Sequence, residues 1–263
     1  MRGIKAVILC GGQGTRLREE TEFKPKPMVP IGGMPILWHI MKIYSHYGIK
    51  DFVLCLGYKG DMIKQFFLSQ ELMNRDFTIS LKGGRKIVHD AAEDTDDWNV
   101  TLADTGANAM TGARVKRIEK YVDEDGFLLT YGDGLADVNL DAALRFNAQT
   151  NKLGTLTGVN PQSRFGMVKT DDAGTVMEFV EKPIMYNEYV NGGFYYFRKD
   201  FFDYLDDDDG CILETKPLAS LAQKKELSMY KHKGFFHCMD TYKDYVDLNK
   251  IWDSGKAPWK VWK

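Results

Sequence analysis

Residues 8–30 read ILCGGQGTRLREETEFKPKPMVP, and the reading of this stretch decides the fold. It begins inside an apolar run, Ala6-Val7-Ile8-Leu9, that has the composition of a buried strand. The strand runs into Gly11-Gly12-Gln13-Gly14, after which Thr15-Arg16-Leu17-Arg18 can begin a helical turn. Glycine lets the backbone turn tightly and approach a ligand. The loop N–H groups, with those of Thr15 and Arg16, can converge on an anion. Cations follow at Arg16, Lys24 and Lys26. A glycine-rich turn alone reads equally well as a structural strand-to-helix connection; the attached cations favour a polyphosphate cradle. Two better-known loops are excluded. The dinucleotide fingerprint needs glycine or alanine where Leu17 stands, and the Walker loop needs G-K-[ST] where Thr15-Arg16 follows.

A chain of 263 residues suits one large α/β domain or a domain with a substantial insertion. The net charge of −2 argues against nucleic-acid binding through bulk charge. No apolar run approaches the ~20 residues that span a bilayer. Met1-Arg2-Gly3 leads straight into the first strand, so no signal peptide is expected and the cytoplasm is the expected compartment. Cys10, Cys55, Cys211 and Cys238 are scattered, with no CxxC pair, which fits a reducing compartment rather than zinc or a disulfide frame. His39, His46, His89, His232 and His237 lack ligand spacing and read as packing or surface residues.

Outward from the glycine loop, strands and helices alternate. Strands are expected over 4–9 and 51–56, and helices over 35–47 and 58–70, the second with Met62, Ile63, Phe66 and Phe67 inward. A β-α-β-α start predicts a mainly parallel sheet with helices on both faces. Short strands at 77–81 and 86–89 flank Gly83-Gly84, and the acidic run 90–97 reads as an exposed loop. A strand over 98–103, a helix over 112–122, a central strand over 126–131 and a helix over 140–150 follow. Beyond 150 the pattern becomes strand-rich, with strands at 154–159, 166–170, 175–180 and 193–198. Helices close the chain over 214–223 and 241–254, the latter with Thr241 as N-cap and Asp244 as first-turn acid. The aromatic, basic ending 256–263 is expected to pack on the body or on a neighbouring subunit. The whole is read as a single Rossmann-like α/β domain over 1–263, mixed and mainly parallel: 1–150 carries the glycine loop, and 151–263 is a smaller strand-rich, substrate-binding portion with C-terminal helices.

Three further sites carry chemistry. Asp133, between Gly132 and Gly134, lies just past the carboxyl end of a central strand, where open α/β sheets bind ligands. It is a candidate Mg²⁺ ligand, although a lone Asp-Gly turn has no need of a metal. Asp240 stands between the strand-like run 235–239 and the helix near Thr241; it is either a helix N-terminal acid or a second carboxylate on that metal. Glu181-Lys182-Pro183 ends one strand and Asn191-Gly192-Gly193 opens the next. Lys182 suits a monophosphate, and Glu181 and Asn191 suit sugar hydroxyls, against the plain reading of a surface ion pair on an edge strand.

These motifs, with Lys24-Pro25-Lys26-Pro27-Met28, Tyr131-Gly132-Asp133-Gly134, Phe165-Gly166 and Met239-Asp240-Thr241, resemble the sugar-1-phosphate nucleotidylyltransferases. Residues 35–42, the segment Asp104-Thr105-Gly106 … Met110-Thr111-Gly112 … Arg114 and the ending 255–260 resemble the branch that uses CTP and glucose 1-phosphate. The resemblance covers the whole chain and implies a nucleotide-diphospho-sugar transferase fold and a homo-oligomer. It implies that Leu9, Gly11, Gly12, Gly14, Thr15 and Gly132 lie along the nucleotide, with Thr105, Gly106, Thr111 and Arg114 near the base. Arg16 would contact the leaving pyrophosphate, and Lys26 would sit by the α-phosphate. Asp133 and Asp240 would hold Mg²⁺. Gly166, Glu181, Lys182, Asn191 and Gly192 would take the sugar phosphate. Two departures from that branch, the bulky 184–190 segment and Leu213 beside Glu214, leave the sugar open.

The electrostatics agree with this reading. Two unit charges ~4 Å apart interact by about 4 kcal/mol at an effective dielectric near ~20. Bringing a sugar phosphate against a triphosphate therefore needs several cations at once, and Arg16, Lys26, Lys182 and Mg²⁺ would supply them. A UTP- or dTTP-using enzyme, a different sugar 1-phosphate, and a non-catalytic nucleotide-sugar sensor are the alternatives.

Overall fold

The computed structural model describes residues 3–73, 75–89, 96–123, 125–163 and 165–262. Its 7-stranded sheet contains β1 (Lys5–Leu9), β2 (Asp51–Leu56), β3 (Asn99–Asp104), β4 (Gly126–Tyr131), β5 (Gly154–Val159), β6 (Val190–Arg198) and β7 (Leu227–His232). The spatial order is β7-β5-β6-β4-β1-β2-β3. β1 pairs in parallel with β2 and β4, β2 with β3, and β5 with β7. β6 alone runs antiparallel, to both β4 and β5, so the sheet is mixed and mainly parallel.

The longer helices are α1 (Ile36–His46), α2 (Gly60–Met73), α3 (Thr111–Arg117), α4 (Leu140–Thr150), α5 (Lys216–Gln223) and α6 (Tyr242–Asp253); a single turn over Arg18–Thr21 follows the glycine loop. Alternation along β1 feeds two cores, one on each face of the sheet. Ala6 and Ile8 pack with residues of α1, α2, α4 and α6. Val7 and Leu9 pack with residues of α3 and α5 and with Phe201 and Phe202. Burial on both faces explains why β2 reads as an unbroken apolar run.

Several boundaries follow from local chemistry. The Asn139 side chain caps α4 by accepting from Ala142 N at 2.9 Å, and Asn151 ends the helix in the left-handed region. Thr241 and Asp244 form a reciprocal capping box that starts α6. The C-terminal tail packs on the chain's own body: Trp259 is fully buried, and the Trp252, Trp259 and Trp262 rings surround His39 at 4.6–6.4 Å.

The structure differs from expectation at several points. β7 occupies a stretch to which no element is assigned from sequence; it is an edge strand that pairs in parallel with β5. The 112–122 helix stops at Arg117, and a 3₁₀ turn over Glu119–Tyr121 follows. Met62 points outward. The short strands Met167–Thr170 and Val176–Val180 pair only with each other, as an insertion between β5 and β6. In the acidic run, residues 90–95 lie outside the described residues. Asp96 is half-buried, accepting from Trp38 Nε1 at 3.0 Å and Lys42 Nζ at 2.8 Å.

Candidate active site

The cleft lies at the carboxyl ends of β1 and β4 and encloses about 390 Å³. Its floor is the glycine loop, from Leu9 through Arg16. Gly14 has φ +62°, and a Cβ there would lie 2.8 Å from Thr21 Cγ2, so the tight turn requires glycine. Gly132 is required by close approach: a Cβ would lie 2.9 Å from Leu9 O and from Pro27 Cγ. The Gly132 N–H donates to Leu9 O at 3.0 Å, stitching the two strand ends together.

One wall carries the charges. Lys26 opens a short 3₁₀ turn, and its Nζ donates to Asp133 Oδ2 at 2.6 Å and to Asp240 Oδ1 at 2.7 Å. Burial works against the ammonium, but the charge of Asp133 and the hydrogen bonds to Asp133 and Asp240 outweigh it and hold the lysine above its usual pKa. Arg16 Nη1 reaches the other oxygen of Asp240 at 3.4 Å while its side chain stays 75% exposed. The two carboxylates are brought together by a ladder: Gly134 pairs with Cys238, and Met239 N donates to Asp133 O at 2.9 Å. Donor atoms of Asp133, Cys238 and Asp240 lie within 4.8 Å of one another. Two hard carboxylate oxygens already sharing one cation fit a divalent ion.

The base-side residues divide. Thr111 and Arg114 line the cleft; Thr105 and Gly106 do not. Thr105 is buried, its hydroxyl donating to Leu56 O at 2.7 Å. Arg114 is turned inward. Its guanidinium donates to Leu56 O (3.0 Å), Thr105 Oγ1 (2.9 Å), Gly106 O (2.7 Å) and Gly11 O (3.0 Å). It thereby clamps the glycine loop to the 105–107 segment. Gly11 and Gly57 give it room, since a Cβ at either would lie 2.2 Å or 2.4 Å from the guanidinium.

The sugar-side residues lie outside the cleft lining. Glu181 and Lys182 sit on the exposed insertion as a 3.4 Å ion pair, with Gly166 against Glu181. Gly192 stands in β6 against β5, where a Cβ would lie 2.7 Å from Val159 Cγ1. Asn191 touches the cleft wall indirectly, by donating to Tyr195 Oη, which is bonded to Tyr131 Oη at 2.9 Å. Leu213 is fully buried, and 184–190 is held within the insertion by Asn160 Nδ2, which donates to Tyr186 O (3.1 Å) and Glu188 O (2.8 Å). Neither departure from the resembled branch therefore lines this cleft. Lys24 pairs with Glu20 at 3.6 Å and stands outside the lining too. Sequence reasoning gave no role to Tyr131, although it stood within a quoted motif, or to Cys238, whose position two residues before Asp240 was the available signal.

With the cleft in view, the comparisons place the chain. Residues 5–249 match the model of the nucleotidyl transferase family, and the chain belongs to that family. It is 49% identical over 261 residues to the glucose-1-phosphate cytidylyltransferase of Salmonella typhi, covering 99% of this chain and 100% of the relative. It is 32% identical over 200 residues to the D-glycero-alpha-D-manno-heptose 1-phosphate guanylyltransferase of Campylobacter jejuni, covering 76% of this chain and 78% of that one. The solved structure of HddC from Yersinia pseudotuberculosis, complexed with GMP-PN, shares the fold, with TM-score 0.65 at 22% identity over 95% of this chain and 99% of that one. Among the described residues, no helix is long and apolar enough to cross a membrane.

Proposed function

We propose that the chain transfers a cytidylyl group from CTP to α-D-glucose 1-phosphate, forming CDP-glucose and pyrophosphate. The observation that carries this reading is the single cation shared by Asp133 and Asp240 opposite the glycine loop. The full-length identity to the Salmonella typhi relative supports the choice of nucleotide and sugar.

The sugar phosphate is ionised at neutral pH and serves as the nucleophile, attacking the α-phosphorus in line with the departing pyrophosphate. Backbone N–H groups of Gly12, Gly14 and Thr15 hold the triphosphate. Lys26 neutralises the α-phosphate, and Arg16, exposed on the rim beside Asp240, contacts the leaving pyrophosphate. Asp133 and Asp240 would hold Mg²⁺, which when bound neutralises phosphate oxygens. No Ser, Cys or His nucleophile takes part; catalysis comes from positioning and charge stabilisation. Residues 1–150 serve mainly the nucleotide and 151–263 mainly the sugar phosphate, with Glu181, Lys182 and Asn191 brought to it from the insertion and from β6.

A cytoplasmic homo-oligomer is part of the same reading. The association of subunits is supported by Phe165, Met177 and Phe179 of the insertion, which are 77%, 69% and 63% exposed.

Chromatographic detection of CDP-glucose from CTP, glucose 1-phosphate and Mg²⁺ tests the assignment. Protein that binds CTP but forms no CDP-glucose overturns it in favour of another sugar phosphate or a sensor.

A further inference from the structure

A continuous hydrogen-bond chain crosses the sheet beside the cleft. Asn191 Nδ2 donates to Tyr195 Oη, the two hydroxyls of Tyr195 and Tyr131 meet at 2.9 Å, and Tyr131 Oη donates to Glu214 Oε1. The other carboxylate oxygen of Glu214 accepts from Thr111 Oγ1 at 2.7 Å. The chain therefore runs from the strand β6 that presents Asn191 to the helix α3 that carries Thr111 and Arg114.

Its direction is forced by donor counting. A hydroxyl has one proton to give, and the carboxylate of Glu214 can only accept. Tyr131 spends its proton on Glu214, so the proton between the tyrosines comes from Tyr195. Tyr195 can then only accept from Asn191, which turns the Asn191 amide nitrogen inward. Asn191 Oδ1 is held on the opposite side, accepting from Gly193 N at 3.0 Å. Tyr195 is 2% exposed, and burial pushes its hydroxyl up to about 12, so it stays protonated at neutral pH. Gly193 takes part sterically: its φ is +75°, and a Cβ there would lie 2.5 Å from the Tyr131 ring. An asparagine amide alone could present either end to a ligand. Here two restraints fix which end: the Gly193 N–H, which can only donate to Oδ1, and the charge of Glu214, which acts on Nδ2 through two tyrosines.

We propose that Tyr195 is a positioning residue for the sugar phosphate: with Tyr131 it transmits the polarity of Glu214 to Asn191 and, together with the Gly193 N–H, holds the donor–acceptor pattern that Asn191 offers to sugar hydroxyls. This rests on the transfer reading above and on Asn191 as a sugar contact. Tyr195 is a positioning residue because it is 2% exposed and its hydroxyl is taken up by Asn191 and Tyr131. Because the chain also ends on Thr111, it ties the sugar contact to the nucleotide side of the cleft.

The test is a double-mutant cycle on Tyr195→Phe and Asn191→Ala, with initial rates for glucose 1-phosphate and titration of CTP alone. Tyr195→Phe keeps the ring and removes only the hydroxyl. It should raise KM for glucose 1-phosphate about fivefold to tenfold, the scale of one lost hydrogen bond, and leave the Kd for CTP within about twofold. In the Asn191→Ala background the same substitution should change KM no further. Glu214→Gln, which can donate as well as accept, should also raise the sugar KM and shift the ratio of turnover between glucose and galactose 1-phosphates. Additive effects of Tyr195→Phe and Asn191→Ala, or equal losses for both substrates, overturn the proposal. A wild-type protein with no turnover of glucose 1-phosphate instead overturns the transfer reading, which separates the two failures.

Discussion

Lys26 and Asp133 stand 107 residues apart in sequence, and their side chains meet at 2.6 Å in a contact that Asp240 completes from the far end of the chain. The ammonium occupies the point between two carboxylates where a divalent cation would sit. In the absence of substrate, Lys26 thus balances the charge of the site, and the same residue is the one assigned to the α-phosphate. Any divalent ion held by both carboxylates competes with Lys26 for them.

Removal of this lysine should be costly to chemistry and mild for the fold. Lys26→Ala is expected to lower kcat about 100-fold or more, the scale set by losing one charged donor from a transition state. Circular dichroism should remain that of the wild type. Turnover within twofold of wild type would remove Lys26 from the mechanism.

Chelation should abolish turnover, and added Mg²⁺ should restore it. Asp240→Asn leaves Lys26 its bond to Asp133 but takes one charged ligand from the cation. The Mg²⁺ concentration at half-maximal rate is expected to rise about tenfold or more in this variant. An unchanged Mg²⁺ dependence would remove Asp240 from the metal site and leave it as the partner of Lys26 and Arg16.

Gly11→Ala would put a methyl group 2.2 Å from the Arg114 guanidinium, which has no room to retreat while it holds Gly11 O, Leu56 O and Gly106 O. A loss of about 1–3 kcal/mol in urea denaturation is expected, with weaker CTP binding. Gly12→Ala is the control for packing, since a Cβ there meets nothing within 4 Å.

Acid should weaken the protein through His39. Burial among the tryptophan rings pushes its pKa down to about 4, against the counteracting hydrogen bond that His39 Nε2 donates to Ile31 O, while an unfolded histidine titrates at about 6.5. Between those values the unfolded chain binds the extra proton and the folded one does not. Stability is therefore full above pH ~6.5 and falls as pH drops toward ~4, by up to about 3 kcal/mol from this residue. Melting temperatures measured across that window should fall less steeply for His39→Gln than for wild type; identical slopes would clear His39 of the effect.

Much of this was legible in the chain because local rules agreed with the tertiary outcome. The apolar run before Gly11, the bounds of α4 and the Thr241–Asp244 cap each follow from a few neighbouring residues. Asp133 and Asp240 were legible as carboxylates at strand ends, although their meeting depends on the ladder between 134–136 and 236–238. What sequence could not tell was direction. Arg114 reads as a ligand-seeking cation, yet backbone carbonyls of the surrounding loops take its guanidinium. Thr105 reads as a pocket hydroxyl and is buried against Leu56. β7 carries no pattern strong enough to be read before its partner β5 is placed.

The most direct test of the account is pyrophosphate release with Mg²⁺ and glucose 1-phosphate, run in parallel with CTP, UTP and dTTP. Release should be strong with CTP and at least about tenfold weaker with the other two. Equal rates with all three, or release only with UTP or dTTP, would contradict it.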